Sequence, residues 1–140
     1  MHIEDVVGRR RCATWRVSPE RTVSAAAGDA RYLQRYGLPV LASPEFLRLV
    51  EDTCWSGMLP LVDTSQGIVG TRFEVSHCAP SAPGDFVEIY VECTAAAVRT
   101  ATWLGHAVNL RTGQRIGTIE HDAAVVNRDE FLSRVAPQLN

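Results

Sequence analysis

Apolar and polar residues alternate through most of the segment from Gly67 to Asn127, and this period of two constrains the fold more than any other feature of the sequence. In one predicted strand, Val87, Ile89, Val91 and Cys93 face inward, whereas Glu88, Tyr90 and Glu92 face outward. Turn signals at residues 80–84 and at Thr112-Gly113 divide the segment into successive strands. The pattern predicts an antiparallel meander with one face against a core.

One long helix is predicted directly before the meander. Ser43 suits the N-cap, Pro44 the first helical position and Glu45 the first turn. Apolar residues then recur at spacings of three and four, namely Phe46, Leu47, Val50, Cys54, Trp55 and Met58. A first strand at 11–17, helical turns around 25–27 and 32–36 and a C-terminal helix at 128–136, capped by Asn127, complete the prediction. The expected fold class is α+β, with a long central helix wrapped by an antiparallel β-sheet.

The composition excludes several classes of function. The formal net charge is -2 and the 14 cationic residues, all Arg, are scattered, so no basic surface for nucleic acid is predicted. The chain contains no lysine. This rules out a Schiff-base lysine, a lysine-held pyridoxal cofactor and a P-loop lysine.

The length of 140 residues predicts a single domain over residues 1–140. No secretory signal and no membrane-spanning segment is predicted, so no membrane partner is expected. The four cysteines, Cys12, Cys54, Cys78 and Cys93, are widely spaced and contain no CxxC pair. We expect buried, free thiols in a reducing cytoplasm.

Ser43, Glu51 and His77 stand out because of where the predicted elements place them. Glu51 lies in the apolar stripe of the helix, where an unpaired carboxylate is costly, and His77 ends a strand on the face shared by Thr71, Phe73 and Val75. Each residue also fits a structural role: Ser43 as a helix N-cap, Glu51 as a solvated or ion-paired glutamate, and His77 as a core histidine. Together, a hydroxyl, a carboxylate and an imidazole can form an acyl-transfer site without a metal or an organic cofactor.

The other histidines do not predict a metal site. His106 and His121 could join His77 as ligands, but no HxH or HxxxH spacing supports this. His121 shares its phase with Ile119, Ala123 and Val125, so we expect it on the inward face, lining a pocket.

The segments that carry these residues resemble a known family. They are Val40-Leu41-Ala42-Ser43 through Glu51, Gly70-Thr71, Val75-Ser76-His77 with Pro83-Gly84, and Ile116-Gly117-Thr118 with His121. From residue 38 to residue 127 the pattern resembles the fluoroacetyl-CoA thioesterase type of the hotdog superfamily. The resemblance implies a hotdog fold, a homodimer with substrate pockets between subunits, and hydrolysis of a short acyl-CoA without metal, CoA being part of the substrate.

The resemblance also implies roles for particular residues. Ser43, Glu51 and His77 stand where the family has its catalytic threonine, glutamate and histidine. Gly70 matches a glycine whose backbone contacts the thioester region. His121 is expected to bind substrate.

Four positions depart from the family pattern. Ala123 stands where an arginine of the site is expected, and Gly37 or Leu38 stands where an aromatic lid residue is expected. Serine replaces threonine at Ser43, and Pro44 follows it in place of glycine. These changes predict thioester chemistry without selectivity for fluoroacetyl groups.

The sequence therefore predicts a thioesterase that acts on a small acyl-CoA or acyl-carrier-protein thioester. One alternative is a hotdog lyase or a biosynthetic enzyme acting on a bound acyl group. The hydratase version is weaker because the typical Asp followed five residues later by His, with Asn-Pro between, is absent. The other alternative is a non-catalytic acyl-ligand-binding protein.

Overall fold

The architecture is a five-stranded antiparallel sheet with a helix packed across it, as seen in a computed structural model that describes residues 2–139. The strands are β1 (Arg10–Arg16), β2 (Gln66–Val75), β3 (Phe86–Ala97), β4 (Thr100–Asn109) and β5 (Arg115–Asn127). Their order across the sheet is β1-β3-β4-β5-β2. The predicted meander is confirmed for β3, β4 and β5, which pair in succession. It is wrong for β2, which pairs with β5 rather than with β3, so β1 and β2 form the two edges.

The helices are α1 (Val23–Ala26), α2 (Arg31–Tyr36), α3 (Ser43–Ser56) and α4 (Arg128–Leu139). Across this part of the chain no helix has both the length and the apolar character needed to cross a membrane. Asn127 caps α4 as predicted, because its Oδ1 accepts a hydrogen bond from the backbone N–H of Glu130 at 2.9 Å.

α3 is the central helix of the core. It buries Phe46, Leu49, Val50, Thr53 and Cys54. The predicted inward residues of β3 are likewise buried, and they join the same core cluster as the fully buried Trp103 of β4. Burial of this apolar surface is the main force that holds helix and sheet together. The predicted α+β class, with a central helix against an antiparallel sheet, is confirmed.

The start of α3 differs from the prediction. Ala42 is the N-cap, Ser43 is the first helical residue, and no side chain caps this end. The predicted N-cap role of Ser43 is therefore wrong. Its hydroxyl lies 2.8 Å from a ring nitrogen of His77, so it is engaged by a residue from the segment after β2 rather than by the helix backbone.

β2 contains a bulge that breaks the predicted alternation. Its pairing with β5 shifts register between Gly70 and Arg72, so Thr71 is an extra residue. Thr71 is exposed, whereas Phe73 stacks on the ring of the inward-facing His121. The prediction that Thr71 shares a face with Phe73 is therefore wrong, because one inserted residue reverses the side on which a period-two pattern falls.

The segment between β2 and β3 is anchored at its far end by the buried Asp85. This carboxylate accepts hydrogen bonds from Arg111 Nε at 2.6 Å and from Asn109 Nδ2 at 2.9 Å. Those bonds hold the pKa of Asp85 well below its usual range. Earlier in the same segment, the carbonyl of Ser81 accepts a hydrogen bond from the backbone N–H of Leu41 at 2.8 Å. The segment is therefore tied both to β4 and to the residues that precede α3.

All four cysteines are free, as predicted. Cys54 and Cys93 are buried, but Cys12 and Cys78 are exposed. The expectation of burial is therefore wrong for Cys12 and Cys78. Cys12 lies on the edge strand β1, and Cys78 lies beyond the end of β2.

Candidate active site

Ser43 and His77 form the first part of the candidate site. β2 ends at Val75, and His77 lies beyond it, beside the first turn of α3. The Oγ atom of Ser43 is 2.8 Å from Nδ1 of His77. The buried Phe46 contacts the imidazole, with the two ring centroids 5.1 Å apart. A hydroxyl and an imidazole are thus in direct hydrogen-bond contact.

His77 is in the protonation state that a general base needs. Its ring is half-buried, and burial lowers its pKa below the ordinary value of 6.5. The imidazole is therefore neutral at pH 7. When Nε2 carries the proton, Nδ1 accepts the hydrogen bond that the hydroxyl of Ser43 donates. Ser43 is itself exposed, so a substrate can reach this hydroxyl.

Glu51, Gly70 and His121 meet at a second place, further along α3. A Cβ atom placed on Gly70 would lie 2.8 Å from Oε2 of Glu51 and 3.2 Å from Cε1 of His121. The half-buried carboxylate therefore lies directly over the Gly70 backbone, with the imidazole beside it. Glycine is what leaves this space for the carboxylate.

His121 is held on several sides. Its Nδ1 is 2.9 Å from the carbonyl oxygen of Arg72, and its Nε2 is 3.2 Å from the indole Nε1 of Trp55. Phe73 stacks on the ring with the centroids 4.2 Å apart. Burial has the largest effect on the His121 pKa and lowers it, while the Arg72 carbonyl and the charges of Glu51 and Asp122 act in the opposite direction.

The residues predicted from the sequence are brought together as two groups rather than as one triad. Ser43 meets His77, and Glu51 meets Gly70 and His121. Ser43 and Glu51 are two turns apart on α3, which corresponds to about 12 Å along the helix axis. The negative charge of Glu51 accordingly acts on the pKa of His121, whereas burial sets that of His77. Within one chain the Glu51 carboxylate and the His77 imidazole therefore have different partners.

The space beside Glu51, between α3 and β2, opens along the edge of the sheet. Glu51 and Trp55 are half-buried on the flank of α3 that faces β2. Phe73, on the inward face of β2, is nevertheless 38% exposed. The space between α3 and β2 is therefore accessible from outside the chain.

Sequence reasoning assigned Trp55 to the apolar stripe of the helix and missed its hydrogen bond to His121. An indole ring is apolar apart from one N–H donor, so the same residue can satisfy an apolar pattern and still bind a polar partner. The available signal was the spacing from Glu51 to Trp55, which places both side chains on one face of the helix.

Residues 2–139 contain no group of three or more His, Cys, Asp or Glu side chains arranged to hold a metal ion. His77 and His121 have the hydrogen-bond partners described above. His106 lies elsewhere, stacked on Tyr90 with the ring centroids 5.4 Å apart. The three histidines that the sequence offered as possible ligands are thus engaged separately.

Comparison with known proteins decides the family. The model of the fluoroacetyl-CoA-specific thioesterase family matches residues 17–129. The chain belongs to this family. The matched span includes both groups of site residues, and the resemblance noted in the sequence is confirmed. This is a family of thioester hydrolases.

Individual relatives agree with the family match. The fluoroacetyl-CoA thioesterase of Streptantibioticus cattleyicolor is 27% identical over 130 residues, which cover 92% of this chain and 91% of that protein. A solved structure of the fluoroacetyl-CoA enzyme FlK, a threonine-to-serine mutant in complex with acetyl-CoA, is 26% identical with a TM-score of 0.88, covering 96% of this chain and 98% of that one.

The fold has a wider set of relatives. The hot-dog-like protein from Thermanaerovibrio acidaminovorans is 20% identical with a TM-score of 0.80, covering 100% of this chain and 98% of that one. At this identity the likeness concerns the fold alone. It confirms the predicted hotdog fold.

Proposed function

We propose that the protein hydrolyses the thioester of a small acyl group carried by CoA or by an acyl carrier protein. The observation that carries this proposal is the 2.8 Å contact between Ser43 Oγ and His77 Nδ1. A hydroxyl beside a neutral imidazole is an arrangement suited to acyl transfer. Family membership supports a thioester as the acyl donor, and the relative solved with acetyl-CoA supports a short acyl group.

In this proposal His77 is the general base. Its Nδ1 removes a proton either from Ser43 Oγ or from a water molecule, and the resulting nucleophile attacks the thioester carbonyl. Unpaired backbone N–H groups at the start of α3 stabilise the negative charge that develops on the carbonyl oxygen. The imidazolium then returns its proton to the departing thiolate. Attack by Ser43 gives an acyl-serine that water hydrolyses in a second step, whereas attack by water gives the carboxylic acid directly.

Glu51 and Gly70 are proposed to act on the same thioester. The Gly70 backbone lines the place where the thioester group rests, and its missing side chain leaves room for the Glu51 carboxylate above it. A carboxylate in this position can orient an attacking water molecule or balance the charge of an imidazolium.

The proposal places the site at a two-fold interface of a homodimer. β2 is an edge strand with a partly exposed Phe73, and the unpaired backbone groups of such an edge can pair with a strand of another chain. If two copies pair β2 with β2 about a two-fold axis, their α3 helices run antiparallel, and the start of one lies beside later turns of the other. Ser43 and His77 could then share a thioester with Glu51 of the partner subunit.

Selectivity for fluoroacetyl groups is not part of the proposal. Ala123 is buried and pairs with Gly70 across β2 and β5, at the position where the sequence comparison expected an arginine. Gly37 and Leu38 follow α2, and one of them stands at the expected position of an aromatic lid residue. We further propose one hotdog domain over residues 1–140, no cofactor other than the CoA of the substrate, and a cytoplasmic location, where the free cysteines would stay reduced.

A hydrolysis screen over acyl-CoAs of increasing chain length tests the proposal, with release of free thiol as the measurement. Glu51→Gln serves as the matched blank, because it keeps the size of the side chain and removes its charge. We expect thiol release by the wild type and a loss of about 10²-fold in kcat for the variant. Tight acyl-CoA binding without hydrolysis by the wild type would instead support the alternative of a non-catalytic acyl-ligand-binding protein.

A further inference from the structure

Both ring nitrogens of His121 are already used inside the protein. The carbonyl oxygen of Arg72 can only accept a hydrogen bond, so Nδ1, 2.9 Å away, carries the proton. The indole N–H of Trp55 can only donate, so Nε2, 3.2 Å away, accepts. A neutral imidazole protonated on Nδ1 satisfies both partners. An imidazolium would instead point a second N–H at the indole N–H.

Burial and packing agree with this assignment. His121 has no exposed surface, and Phe73 covers one face of its ring. The side chain therefore has neither a free nitrogen nor an accessible edge with which to bind a substrate by hydrogen bonds. This geometry gives His121 a different role from the substrate contact expected from the sequence.

The hydrogen bonds of His121 connect the elements that carry Glu51 and Gly70. Trp55 lies one turn after Glu51 on α3. Arg72 lies directly after the bulge of β2, and Gly70 lies directly before it. His121 itself stands in β5, which pairs with both β2 and β4. The imidazole thus links the helix to the bulge through a strand inside the sheet.

We propose that His121 and Trp55 are positioning residues for Glu51. The hydrogen bonds from the indole N–H to Nε2, and from Nδ1–H to the Arg72 carbonyl, fix α3 relative to the bulge of β2. This spacing holds the Glu51 carboxylate over the Gly70 backbone. No proton moves along the chain. The inference rests on the proposed function, in which Glu51 acts on the bound thioester.

Trp55→Phe tests the proposal because it keeps an aromatic ring and removes only the N–H donor. The chain offers a matched control in Trp15→Phe. The indole N–H of Trp15 donates to Oγ1 of Thr53 at the same distance of 3.2 Å, and Thr53 also belongs to α3. Both substitutions therefore remove one indole hydrogen bond to a partner in the core region, but only the first touches His121.

We expect Trp55→Phe to lower kcat by about tenfold with KM changed by less than about twofold, because a misplaced carboxylate weakens the transition state more than substrate binding. Trp15→Phe should leave kcat unchanged at equal folded fraction. His121→Gln, whose amide oxygen can still accept from the indole, should lose less activity than His121→Ala. Equal kcat values for Trp55→Phe and Trp15→Phe would overturn the proposal.

A second measurement does not depend on catalysis. The carboxyl ¹³C resonance of Glu51, assigned from its loss in Glu51→Gln, reports the surroundings of that carboxylate. It should move in Trp55→Phe and in His121→Ala, and stay in place in Trp15→Phe. If the wild type hydrolyses no thioester, the proposed function fails, while a shifted Glu51 resonance still supports positioning. An unshifted resonance in both His121 and Trp55 variants would refute positioning whatever the activity.

Discussion

Ser43 and His77 are 34 residues apart in the sequence, yet Oγ of one lies 2.8 Å from Nδ1 of the other. The contact joins the first turn of α3 to the segment that follows β2. It also explains why the serine does not cap its own helix, since its hydroxyl is directed to the imidazole. Two side chains joined in this way should behave as one unit when either is removed.

Removal of His77 should therefore be nearly as damaging as removal of the pair. We expect His77→Ala to lower kcat by about 10² or more, and the double variant with Ser43→Ala to fall no further than about twofold below it. Ser43→Ala alone should match His77→Ala if the hydroxyl is the nucleophile, and cost less if the hydroxyl only orients water. Steady-state kinetics of the three variants decide between these routes. Strictly additive losses would argue against a coupled pair.

Mixed dimers test whether the site is shared between subunits. Glu51→Gln and His77→Ala should each be nearly inactive alone. If Glu51 and His77 serve one site from different subunits, each mixed dimer contains one intact site, and random mixing of equal amounts restores about a quarter of wild-type activity. Activity after co-refolding is the measurement. No recovery, with mixed dimers confirmed by mass spectrometry, would place the active residues within one chain.

Gly70→Ala should lower activity strongly while the fold persists. The new Cβ would lie 2.8 Å from Glu51 Oε2, which is the end of a flexible side chain and can move aside. The helix and sheet then remain, but the carboxylate leaves its position, and we expect kcat to fall by about 10². Gly67→Ala on the same strand is the control, because its Cβ would meet only a Val126 methyl at 3.9 Å. Equal activity of the two variants would contradict a role for the space above Gly70.

Lowering the pH from neutral should reduce both the activity and the stability of the protein. Burial lowers the pKa of His77 and of His121, although Glu51 and Asp122 oppose this effect at His121. The neutral base form of His77 is lost only as pH falls through its lowered pKa, so kcat/KM should be flat at neutral pH and its acid limb should lie below pH 6.5.

The same shifts set the direction of the stability change. The unfolded chain takes up protons on these histidines more readily than the folded chain does. The free energy of unfolding therefore has its full value above pH 6.5 and falls as the solution becomes more acidic. Urea unfolding at pH 7.5 and at pH 5.5 measures this. In His121→Gln the drop between the two pH values should be smaller. A wild type that is more stable at the lower pH would contradict neutral histidines.

The elements that could be predicted from the sequence are those governed by local pattern. The stripe of α3, the alternation of β3 and the cap of α4 each depend on neighbours a few residues away. The bulge at Thr71 could not be predicted, because it depends on how β2 pairs with β5. The exposure of Cys12 and Cys78 depends in the same way on which strand became an edge.

The residues of the candidate site could be predicted from the sequence, but which of them lie together in the fold could not. The spacing of Ser43, Glu51 and His77 identified side chains of the right chemistry, but distances along a sequence do not show that the chain folds them into two places. The role of His121 depended on partners from two other elements, a backbone carbonyl at Arg72 and an indole at Trp55. Such a combination follows from the three-dimensional fold and has no signature in one segment.

Hydrogen bonds of Asp85 and Ser81 anchor the segment between β2 and β3. This has a thermodynamic consequence for His77, which lies on that segment. Ordering a flexible segment costs conformational entropy of about 1–2 kcal/mol for each backbone residue. Because the hydrogen bonds to Arg111, Asn109 and Leu41 are made within the protein itself, this cost falls on folding rather than on substrate binding. The imidazole is therefore preorganised, and affinity for a short acyl group with few contacts of its own need not be reduced by an ordering step.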